Sequence, residues 1–374
     1  MSLPLAGIVV VELGHSVAAP ALGQILGDLG AEVVKVEKPG GDDARKWGPP
    51  FLDGASATFQ AINRNKRSVV CELRDPVQRG RLVDFIVREA DVVLQNLRPG
   101  QVDELGLGAQ ALLAQKPALV YCNVGAFGAK GPLADRPGYD PLMQAFGGIM
   151  SVVGEEGRPP VRVGPSIVDQ GTAMWGAVGI LSALYRRRDT GKGGVVDVSL
   201  FETAAAWMVM HAAQYLGSGE IPVRHGSGAA GIAPYKAYCT KDGDLVVAAG
   251  NDELFKRLCT VFGRSEWPKQ AEYKTNPDRV KNSQTLYSLI EAEMAKRSNA
   301  EWMAALDAAG VPCAPVQNVA QMLEHPQMKA LGLLQSVPGS SQPLIGLPIS
   351  FDGHRPLPRG ASPALGAHTK EVLG

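Results

Sequence analysis

The sequence has few features of a secreted or membrane-bound protein. Its five cysteines stand singly without a CxxC pair, which is typical of reduced thiols rather than a disulfide framework. The longest apolar run, residues 201–216, is interrupted by Glu202, His211 and Gln214 and is too short to span a bilayer. The amino terminus lacks the basic segment of a signal peptide. We therefore expect a cytoplasmic protein without membrane association.

An excess of charge of either sign is also missing. Lys plus Arg equals Asp plus Glu at 37 each, so no global field attracts nucleic acid or an anionic membrane. Any anionic ligand must then be bound by local groups of cations. The 374 residues, 45% of them hydrophobic, are enough for two domains that each bury a core.

Several sequence motifs of cofactor and metal enzymes are absent. The segment after the first predicted strand reads GHSVAAPALG and lacks the GxGxxG of dinucleotide-binding folds, which disfavours a nicotinamide oxidoreductase. No GxxxxGK[ST] loop, HExxH pair or GxSxG motif occurs, and the six histidines are dispersed. We therefore expect no metal and no permanently bound cofactor.

Short runs of β-branched residues alternate with helical segments over the first 200 residues. The predicted strands comprise residues 7–13, 32–37, 68–73, 91–97 and 118–124, and the predicted helices comprise residues 19–29, 76–90, 109–115, 170–188 and 201–216. This alternation predicts a doubly wound, parallel α/β sheet. The last helix is apolar on almost every face, which predicts burial either inside the protein or in a subunit interface.

The pattern changes after residue 216 and predicts a second domain. Residues 217–225 begin a glycine-rich stretch typical of a linker, and a hairpin is predicted around Lys241-Asp242-Gly243. Helical segments follow, so residues 226–325 are predicted to form a small α+β domain. The large domain is predicted to comprise residues 1–216 together with the carboxyl-terminal residues 331–374.

Three local groups of residues carry candidate chemistry. Residues 63–68 (NRNKRS) are cationic, although a solvated turn has the same composition. Residues 95–100 (QNLRPG) place Asn96 and Arg98 after a strand, where ligands bind in open α/β sheets. Asp169 lies at the start of a predicted helix near residue 170. From its position alone, the N-cap role is the more common one for such an aspartate.

These segments belong to a larger series of blocks that resembles the family III CoA-transferases of the CaiB/BaiF type. The resemblance covers essentially the whole chain, and its blocks in order are GDLGAEVVKVEKPGGDDARKWGPP, NRNKRSV, QNLRPG, DRPGYD, TGKGGVVDVSLFE and IAPYKAYCTKDG. It implies a Rossmann-like large domain built from both chain ends, a small domain between them, and an interlocked homodimer. Its substrates would be an acyl-CoA thioester and a carboxylic acid.

The resemblance also implies roles for individual residues. Asp169 corresponds to the family's nucleophilic aspartate, and Tyr139 and Asp140 correspond to an active-site pair that faces it. Gly250 and Asn251 correspond to a small-domain loop that closes over the site. The expected CoA-binding positions follow the predicted strands and comprise His15, Val17, Ala18, Lys38, Leu73, Arg74, Asn96, Leu97 and Arg98.

The implied mechanism proceeds through acyl and CoA derivatives of Asp169. An ordinary aspartate is ionised at neutral pH and can attack the thioester to form a mixed anhydride, which CoA thiolate converts into an aspartyl-CoA thioester. We expect backbone N–H groups at the start of the helix near residue 170 to stabilise the developing oxyanion.

Two alternatives remain beside a CoA-transferase. Racemases of the family carry a histidine at the position of Tyr139, and a tyrosine is a poor base at neutral pH, which disfavours α-methylacyl-CoA racemase. A non-catalytic acyl-CoA-binding protein has no need of Asp169 together with Tyr139.

Departures from the formyl-CoA branch bear on the substrate. That branch has glutamine at Val17, glycines at AAGND and a phosphate-binding arginine at Glu104, for which Arg98 is our candidate replacement. The blocks GGDDARKWGPPF and VVAAGNDELF are more similar to the dicarboxylyl-CoA branch, of the succinyl-CoA:glutarate type. We expect Arg45 either to bind the free carboxylate of a C4–C6 dicarboxylate or to form a surface ion pair with Asp42 or Asp43.

Overall fold

The computed structural model describes residues 3–374. The strands are β1 Val9–Leu13, β2 Glu32–Glu37, β3 Phe51–Leu52, β4 Ala55–Ser56, β5 Lys66–Val70, β6 Val92–Gln95, β7 Val120–Gly125, β8 Gly194–Ser199, β9 Tyr235–Cys239, β10 Asp244–Ala248, β11 Cys313–Pro315, β12 Leu334–Gln335 and β13 Leu344–Ile345.

The helices alternate with these strands through most of the chain. They are α1 Ala18–Asp28, α2 Ala57–Ile62, α3 Pro76–Glu89, α4 Gln101–Glu104, α5 Ala109–Gln115, α6 Asp140–Phe146, α7 Ile149–Val152, α8 Ile167–Thr190, α9 Leu200–Trp207, α10 Val209–Ser218, α11 Asp252–Phe262, α12 Asn276–Lys281, α13 Ser283–Met294, α14 Asn299–Ala308, α15 Val319–Glu324, α16 Pro326–Ala330 and α17 Thr369–Leu373.

The principal sheet has six strands in the order β5-β2-β1-β6-β7-β8, and every neighbouring pair is parallel. The predicted parallel α/β sheet is therefore confirmed. When these six strands are renumbered in chain order, their order across the sheet is 3-2-1-4-5-6. The strand order therefore reverses between β1 and β6, although the strands all run in the same direction. In such sheets, ligands bind at the carboxyl ends of the strands beside the reversal.

The strands of this sheet are apolar because both faces are covered. Val10, Val11, Val33, Val93 and Val120 are all completely buried. β-branched side chains suit the pleated backbone, and parallel sheets buried on both faces consist of near-continuous apolar runs.

The chain forms two compact units. The first comprises the residues up to Ile149, Arg162–Gly219 and Pro326–Gly374, and the second comprises Met150–Val161 and Glu220–His325. Residues 150–161, which the sequence analysis assigned to the large domain, thus group with the second unit. The reason is local pairing, because Glu155 bridges His225 and the backbone N–H of Gly226 donates to Gly154 O at 2.8 Å.

The second unit contains the predicted hairpin, formed by β9 and β10 in antiparallel register, with β11 along the other edge of β10. Helices α11, α13 and α14 contribute to its core, in which Phe255, Ile290 and Trp302 are almost fully buried. Trp302 is held in place because its indole Nε1 donates to Met294 O at 2.7 Å.

Helix α8 is the one helix within the described residues that is long and apolar enough to cross a membrane. The core helix of a soluble protein meets the same criterion. In this fold α8 packs against α1, β8 and α9, and Val168, Ala177 and Ile180 are buried.

The apolar segment 201–216 is buried only in part, at Thr203 and Ala204 of its first helix. It forms two helices, α9 and α10, and none of the residues of α10 is buried. Of the two predicted environments, burial inside the protein is therefore wrong for α10. Leu216 and Met210 are 82% and 72% exposed. Exposure of these apolar side chains to water is unfavourable in free energy, and a covering partner would remove it.

Four charged side chains are buried together beneath the carboxyl ends of β1 and β2. Lys35 Nζ lies 2.8 Å from Glu12 Oε1 and 2.8 Å from Asp42 Oδ2, and Lys66 Nζ lies 2.8 Å from Glu12 Oε2. Two carboxylates and two ammonium groups balance in charge. Burial lowers the pKa of Lys66 to about 8, whereas Glu12 and Asp42 outweigh burial and raise the pKa of Lys35. We refer to these four residues as the buried charge cluster.

Helix α1 passes so close to the buried charge cluster that only glycine fits at position 23. A Cβ atom at Gly23 would lie 1.9 Å from Glu12 Oε2. We expect Gly23→Ala to lower the free energy of unfolding by roughly 3 kcal/mol or more, because it displaces a buried, paired carboxylate. Urea denaturation would measure the change.

Gly80→Ala is the matched control. Gly80 lies within α3, and nothing is within 4 Å of the added Cβ, so alanine should be neutral or stabilising there. Equal losses for the two variants would show that the contact with Glu12 is not the cause.

Candidate active site

The loop after β1 is held in a strained conformation by side chains from two other loops. Ser16 has a positive φ of 67°, and its N–H donates to Asp42 Oδ1 at 3.1 Å. Asn96, after β6, accepts from the His15 N–H at 2.9 Å and donates to the His15 carbonyl at 2.9 Å. Both polar atoms of the Asn96 side chain are thus engaged with the backbone, so Asn96 positions the loop.

A cavity of about 260 Å³ opens beside this loop, at the carboxyl ends of β1, β2, β5 and β6. Six of the predicted CoA-binding residues line it, namely His15, Lys38, Leu73, Arg74, Leu97 and Arg98. The structure therefore brings together most of the set from four separate loops. These residues meet at the carboxyl ends of the strands, beside the point where the strand order reverses, which is where ligands bind in such sheets.

The cations of this cavity differ in availability. Lys38 pairs with Asp43 at 2.8 Å, but both side chains are more than half exposed, so the pair is weak. Arg74 and Arg98 are exposed, and neither guanidinium forms an ion pair with any residue of 3–374. These two side chains are available to bind phosphate groups bidentately.

The remaining residues of the predicted CoA set do not line the cavity. Val17 is the N-cap residue of α1, and its carbonyl accepts from the Ala21 N–H at 2.8 Å. Ala18 is the first residue of that helix and is 4% exposed. Their side chains therefore lie at the start of α1, next in sequence to the strained loop.

Asp169 lies in the first turn of α8, which begins at Ile167 after the N-cap residue Ser166. The N-cap alternative for Asp169 is therefore wrong. The side chain that does bind the start of α8 comes from another helix. Asp140 Oδ2 accepts from the N–H groups of Val168 and Asp169 at 2.8 and 3.1 Å.

Asp140 is 2% exposed and belongs entirely to the interior. Its second oxygen, Oδ1, accepts from Gln144 Nε2 at 2.6 Å. This carboxylate therefore accepts three hydrogen bonds, two of them from backbone N–H groups in the first turn of α8. Of the predicted pair, Asp140 thus lies against the backbone of Asp169, and its role in catalysis stays a prediction.

This arrangement changes the ionisation of Asp169. Burial, and then the neighbouring charge of Asp140, raise the pKa of Asp169 from its ordinary value of 3.8 to about 7. The expectation of a fully ionised aspartate at neutral pH is therefore wrong. A carboxylate of higher pKa is a stronger nucleophile once its proton has left.

The start of α8 does not offer the free backbone donors predicted for an oxyanion. Val168 and Asp169 N–H donate to Asp140, Gln170 N–H donates to Ser166 O, and Ile167 N–H donates to Pro165 O. The first-turn N–H groups are already bonded, so the prediction of an oxyanion site there is wrong.

Tyr139 is the N-cap residue of α6 and its side chain is 60% exposed. Although Tyr139 is adjacent to Asp140 in sequence, its side chain is exposed whereas that of Asp140 is buried. Neither Tyr139 nor Asp169 lines the 260 Å³ cavity.

Arg45 is bound to an internal carboxylate. Its Nε and Nη2 donate to the two oxygens of Glu37 at 2.8 and 2.7 Å, and its guanidinium lies 3.9 Å from the Phe59 ring centroid. Burial alone would raise the pKa of Glu37, but the bonds from Arg45 and Ser68 lower it. Arg45 was predicted either to bind the free carboxylate of a substrate or to pair with Asp42 or Asp43. Both predictions are wrong, because its guanidinium already forms a bidentate ion pair with Glu37.

Gly250 and Asn251 lie between β10 and α11 in the second unit. Asn251 is the N-cap residue of α11, and its Oδ1 accepts from the Leu254 N–H at 2.9 Å. Its side chain therefore has a structural role within that unit. The predicted closure of this loop over the site stays a prediction.

Gln144 and the buried charge cluster were missed by sequence analysis. A signal for each was present. Lys35 interrupts the apolar strand EVVKVE at a position that must be buried in a central strand, and Gln144 follows Asp140 by one helical turn. Among residues 3–374, no group of His, Cys, Asp and Glu is arranged to hold a metal ion.

Comparison with known proteins identifies the family of the chain. The family model described as CoA-transferase family III matches residues 5–369. The chain belongs to the family III CoA-transferases. The family predicted from the sequence is therefore confirmed, and with it CoA transfer as the class of reaction.

Two relatives of this CoA-transferase carry specific names. It is 36% identical to the succinate–glutarate CoA-transferase of Agrobacterium fabrum, over 99% of this chain and 95% of the relative. It is 37% identical to the acetyl-CoA:oxalate CoA-transferase of Acetobacter aceti, over 94% of this chain and 90% of the relative.

Among solved structures, the chain is similar to a CaiB/BaiF family protein from Brucella suis. The TM-score is 0.90 at 38% identity, and the whole of both chains is covered. The fold of the CoA-transferase thus agrees with that family from end to end.

The raised pKa of Asp169 predicts how stability depends on pH. The carboxyl ionises near pH 4 in the unfolded chain but near pH 7 in the fold, so its contribution to stability is greatest below pH 4 and is lost as pH rises towards 7. We expect Asp169→Asn to be more stable than the wild type by roughly 1–3 kcal/mol at pH 8, less than the full shift implies because the side chain is partly exposed. The difference should shrink towards pH 4 in urea denaturation.

Asp75→Asn provides a control of opposite sign. Asp75 is the N-cap residue of α3, and its bond from Gln78 lowers its pKa. The Asp75 carboxylate therefore contributes to the free energy of unfolding above pH 4, and this contribution is lost as pH falls. Asp75→Asn should accordingly be less stable than the wild type at pH 8. A pH-independent effect of Asp169→Asn would contradict the raised pKa.

Proposed function

We propose that this CoA-transferase moves CoA between carboxylic acids through covalent derivatives of Asp169. The observation that carries the proposal is the placement of Asp169 beside the buried Asp140, at the start of α8. The CoA portion would bind at the cavity beyond β1, β2, β5 and β6, with Arg74 and Arg98 on its phosphates.

The proposed reaction consists of two exchanges and their reversal. Asp169 carboxylate attacks the donor thioester, the C–S bond breaks, and CoA thiolate leaves a mixed anhydride behind. Thiolate then attacks the Asp169 carbonyl, which releases the donor acid and forms an aspartyl-CoA thioester. The acceptor carboxylate attacks that thioester and the same steps run backwards. Atoms and charge balance without metal or redox chemistry.

Asp140 would favour formation of these intermediates through charge. The ionised Asp169 is repelled by the Asp140 carboxylate, which burial keeps poorly solvated. Acylation neutralises Asp169 and removes this repulsion. Electrostatic strain in the free enzyme is thereby relieved in the covalent intermediate.

We propose succinyl-CoA as donor and a dicarboxylate as acceptor. The support is the set of acids named for the relatives, which are glutarate, D-citramalate and mesaconate with succinate or succinyl-CoA as the partner. The free carboxylate of such a substrate needs a cation in a closed site. Arg45 does not serve, because Glu37 occupies it.

We further propose that the protein is a cytoplasmic homodimer, with the interlocked arrangement that the family implies. Support comes from apolar side chains on one face of α8, where Met174, Val178 and Tyr185 are 56%, 54% and 69% exposed. Helix α10 carries further exposed apolar side chains in the same unit, and an identical copy is the occupant that would cover these helices.

The covalent role of Asp169 can be tested by trapping. Incubation of the wild type with succinyl-CoA and hydroxylamine should label Asp169 by mass spectrometry, and Asp169→Ala should abolish transfer while CoA binding persists. The single-turnover rate should increase with pH and level off above about pH 7–8, since the carboxylate is the reactive form. Substantial transfer by the alanine variant would refute the role.

The substrate class can be tested with matched acceptors. Glutarate should be used far better than valerate, which has the same chain length but one carboxylate. Arg45→Met should reduce the use of both acceptors by the same factor, because it disturbs Glu37 and not a substrate contact. A preference for valerate would refute the dicarboxylate proposal.

A further inference from the structure

Gln144 is a completely buried side chain with all of its polar groups in use. It lies in α6, one turn after Asp140, and its Nε2 donates to Asp140 Oδ1 at 2.6 Å and to Val163 O at 3.3 Å. Its Oε1 accepts from the Val163 N–H at 2.8 Å. The amide therefore joins three parts of the molecule: its own helix, Asp140, and the segment that leads into α8.

These hydrogen bonds connect Gln144 to the start of α8 by two routes, one through Val163 and one through Asp140. Val163 lies four residues before Ile167, where α8 begins, and Gln144 fixes its backbone. Asp140, oriented by Gln144, in turn binds the N–H groups of Val168 and Asp169. The start of α8 is thus held at two points through one amide.

Gln144 is suited to this task by its chemistry. An amide donates and accepts at once, so it can bond a carboxylate and both polar groups of a backbone unit. An apolar side chain would leave Asp140 Oδ1 and the Val163 groups without partners in the interior, which is costly. A carboxylate there would repel Asp140 unless it carried a proton.

We propose that Gln144 is a positioning residue of this enzyme, which holds the Asp140 carboxylate against the N–H groups of Val168 and Asp169 and thereby fixes the orientation of the Asp169 side chain. The proposal rests on the function proposed above. Gln144 itself touches neither substrate nor the reacting atoms and acts only through Asp140 and Val163.

The test compares two substitutions of Gln144 in single-turnover labelling of Asp169 by succinyl-CoA. Gln144→Leu should slow labelling by about tenfold to a hundredfold at every pH, because the carboxylate is no longer held in its attacking orientation. The dissociation constant for CoA should stay within about threefold of the wild-type value, since the cavity residues are unchanged.

Gln144→Glu distinguishes a bond to Asp140 from simple packing. A protonated glutamic acid can donate to Asp140 Oδ1, but an ionised one cannot and repels it. We expect this variant to approach the wild-type labelling rate at pH 5.5 and to fall below it as pH rises to 8.5. It also serves if the leucine variant fails to fold.

Gln60→Leu is the matched control. Gln60 is 4% exposed and its Nε2 donates to Leu52 O at 2.8 Å, remote in sequence from α6 and α8. This variant should lose stability in urea but keep the labelling rate and its pH dependence.

Each result bears on one proposal or the other. If the wild type is labelled and either glutamine variant keeps the wild-type rate and pH dependence, the role of Gln144 is refuted. A pH-independent loss in Gln144→Glu would also refute it, since packing alone would explain the effect. If the wild type is not labelled at Asp169 and transfers no CoA, the proposed function fails first. In that case a second measurement tests the positioning role separately. The difference in urea stability between Asp169→Asn and the wild type is measured again with Gln144→Leu present in both proteins. If the two differences are equal, the positioning role is refuted.

Discussion

The first unit depends on the buried charge cluster of Glu12, Lys35, Asp42 and Lys66. Breaking a buried pair by removing one partner typically costs about 3–5 kcal/mol, because an uncompensated charge is left in the interior. Three of its members also bond backbone, and Asp42 does so by accepting from the Ser16 N–H. Lys35 Nζ donates to Gly14 O and Lys66 Nζ donates to Pro20 O, at 2.8 and 2.7 Å. The cluster therefore fixes both the packing of α1 on the sheet and the shape of the loop beside it.

The site is built from a second use of the same principle. Asp140 is buried with three hydrogen bonds, whereas Asp169 is close to it with its side chain uncompensated. Burial and the neighbouring Asp140 raise the pKa of Asp169 to about 7. Environments that differ in this way suit two carboxyl groups to different roles, which supports the proposed role of Asp169 as the reactive group.

The two faces of helix α8 have different environments. One face of α8 packs on α1 and β8, where Gly176 allows close approach because an added Cβ would lie 2.7 Å from Leu22. The opposite face is apolar and uncovered within the chain. Its first turn carries Asp169, so a partner that covers α8 would contact the helix that holds the proposed nucleophile.

The sequence by itself determined the parallel sheet, most helix positions and the family, because β-branched strands, helical periodicity and ordered motif blocks are local properties of the chain. It also identified six of the cavity residues, Arg98 from its position after a strand and the others through the family resemblance. The partner of Arg45, the N-terminal capping of α8 by Asp140 and the raised pKa of Asp169 were decided only by the tertiary structure. Asp140 and Asp169 are 29 residues apart in sequence. Their interaction depends on distances of a few ångströms and on the loss of water around them, and neither quantity is encoded in a local pattern.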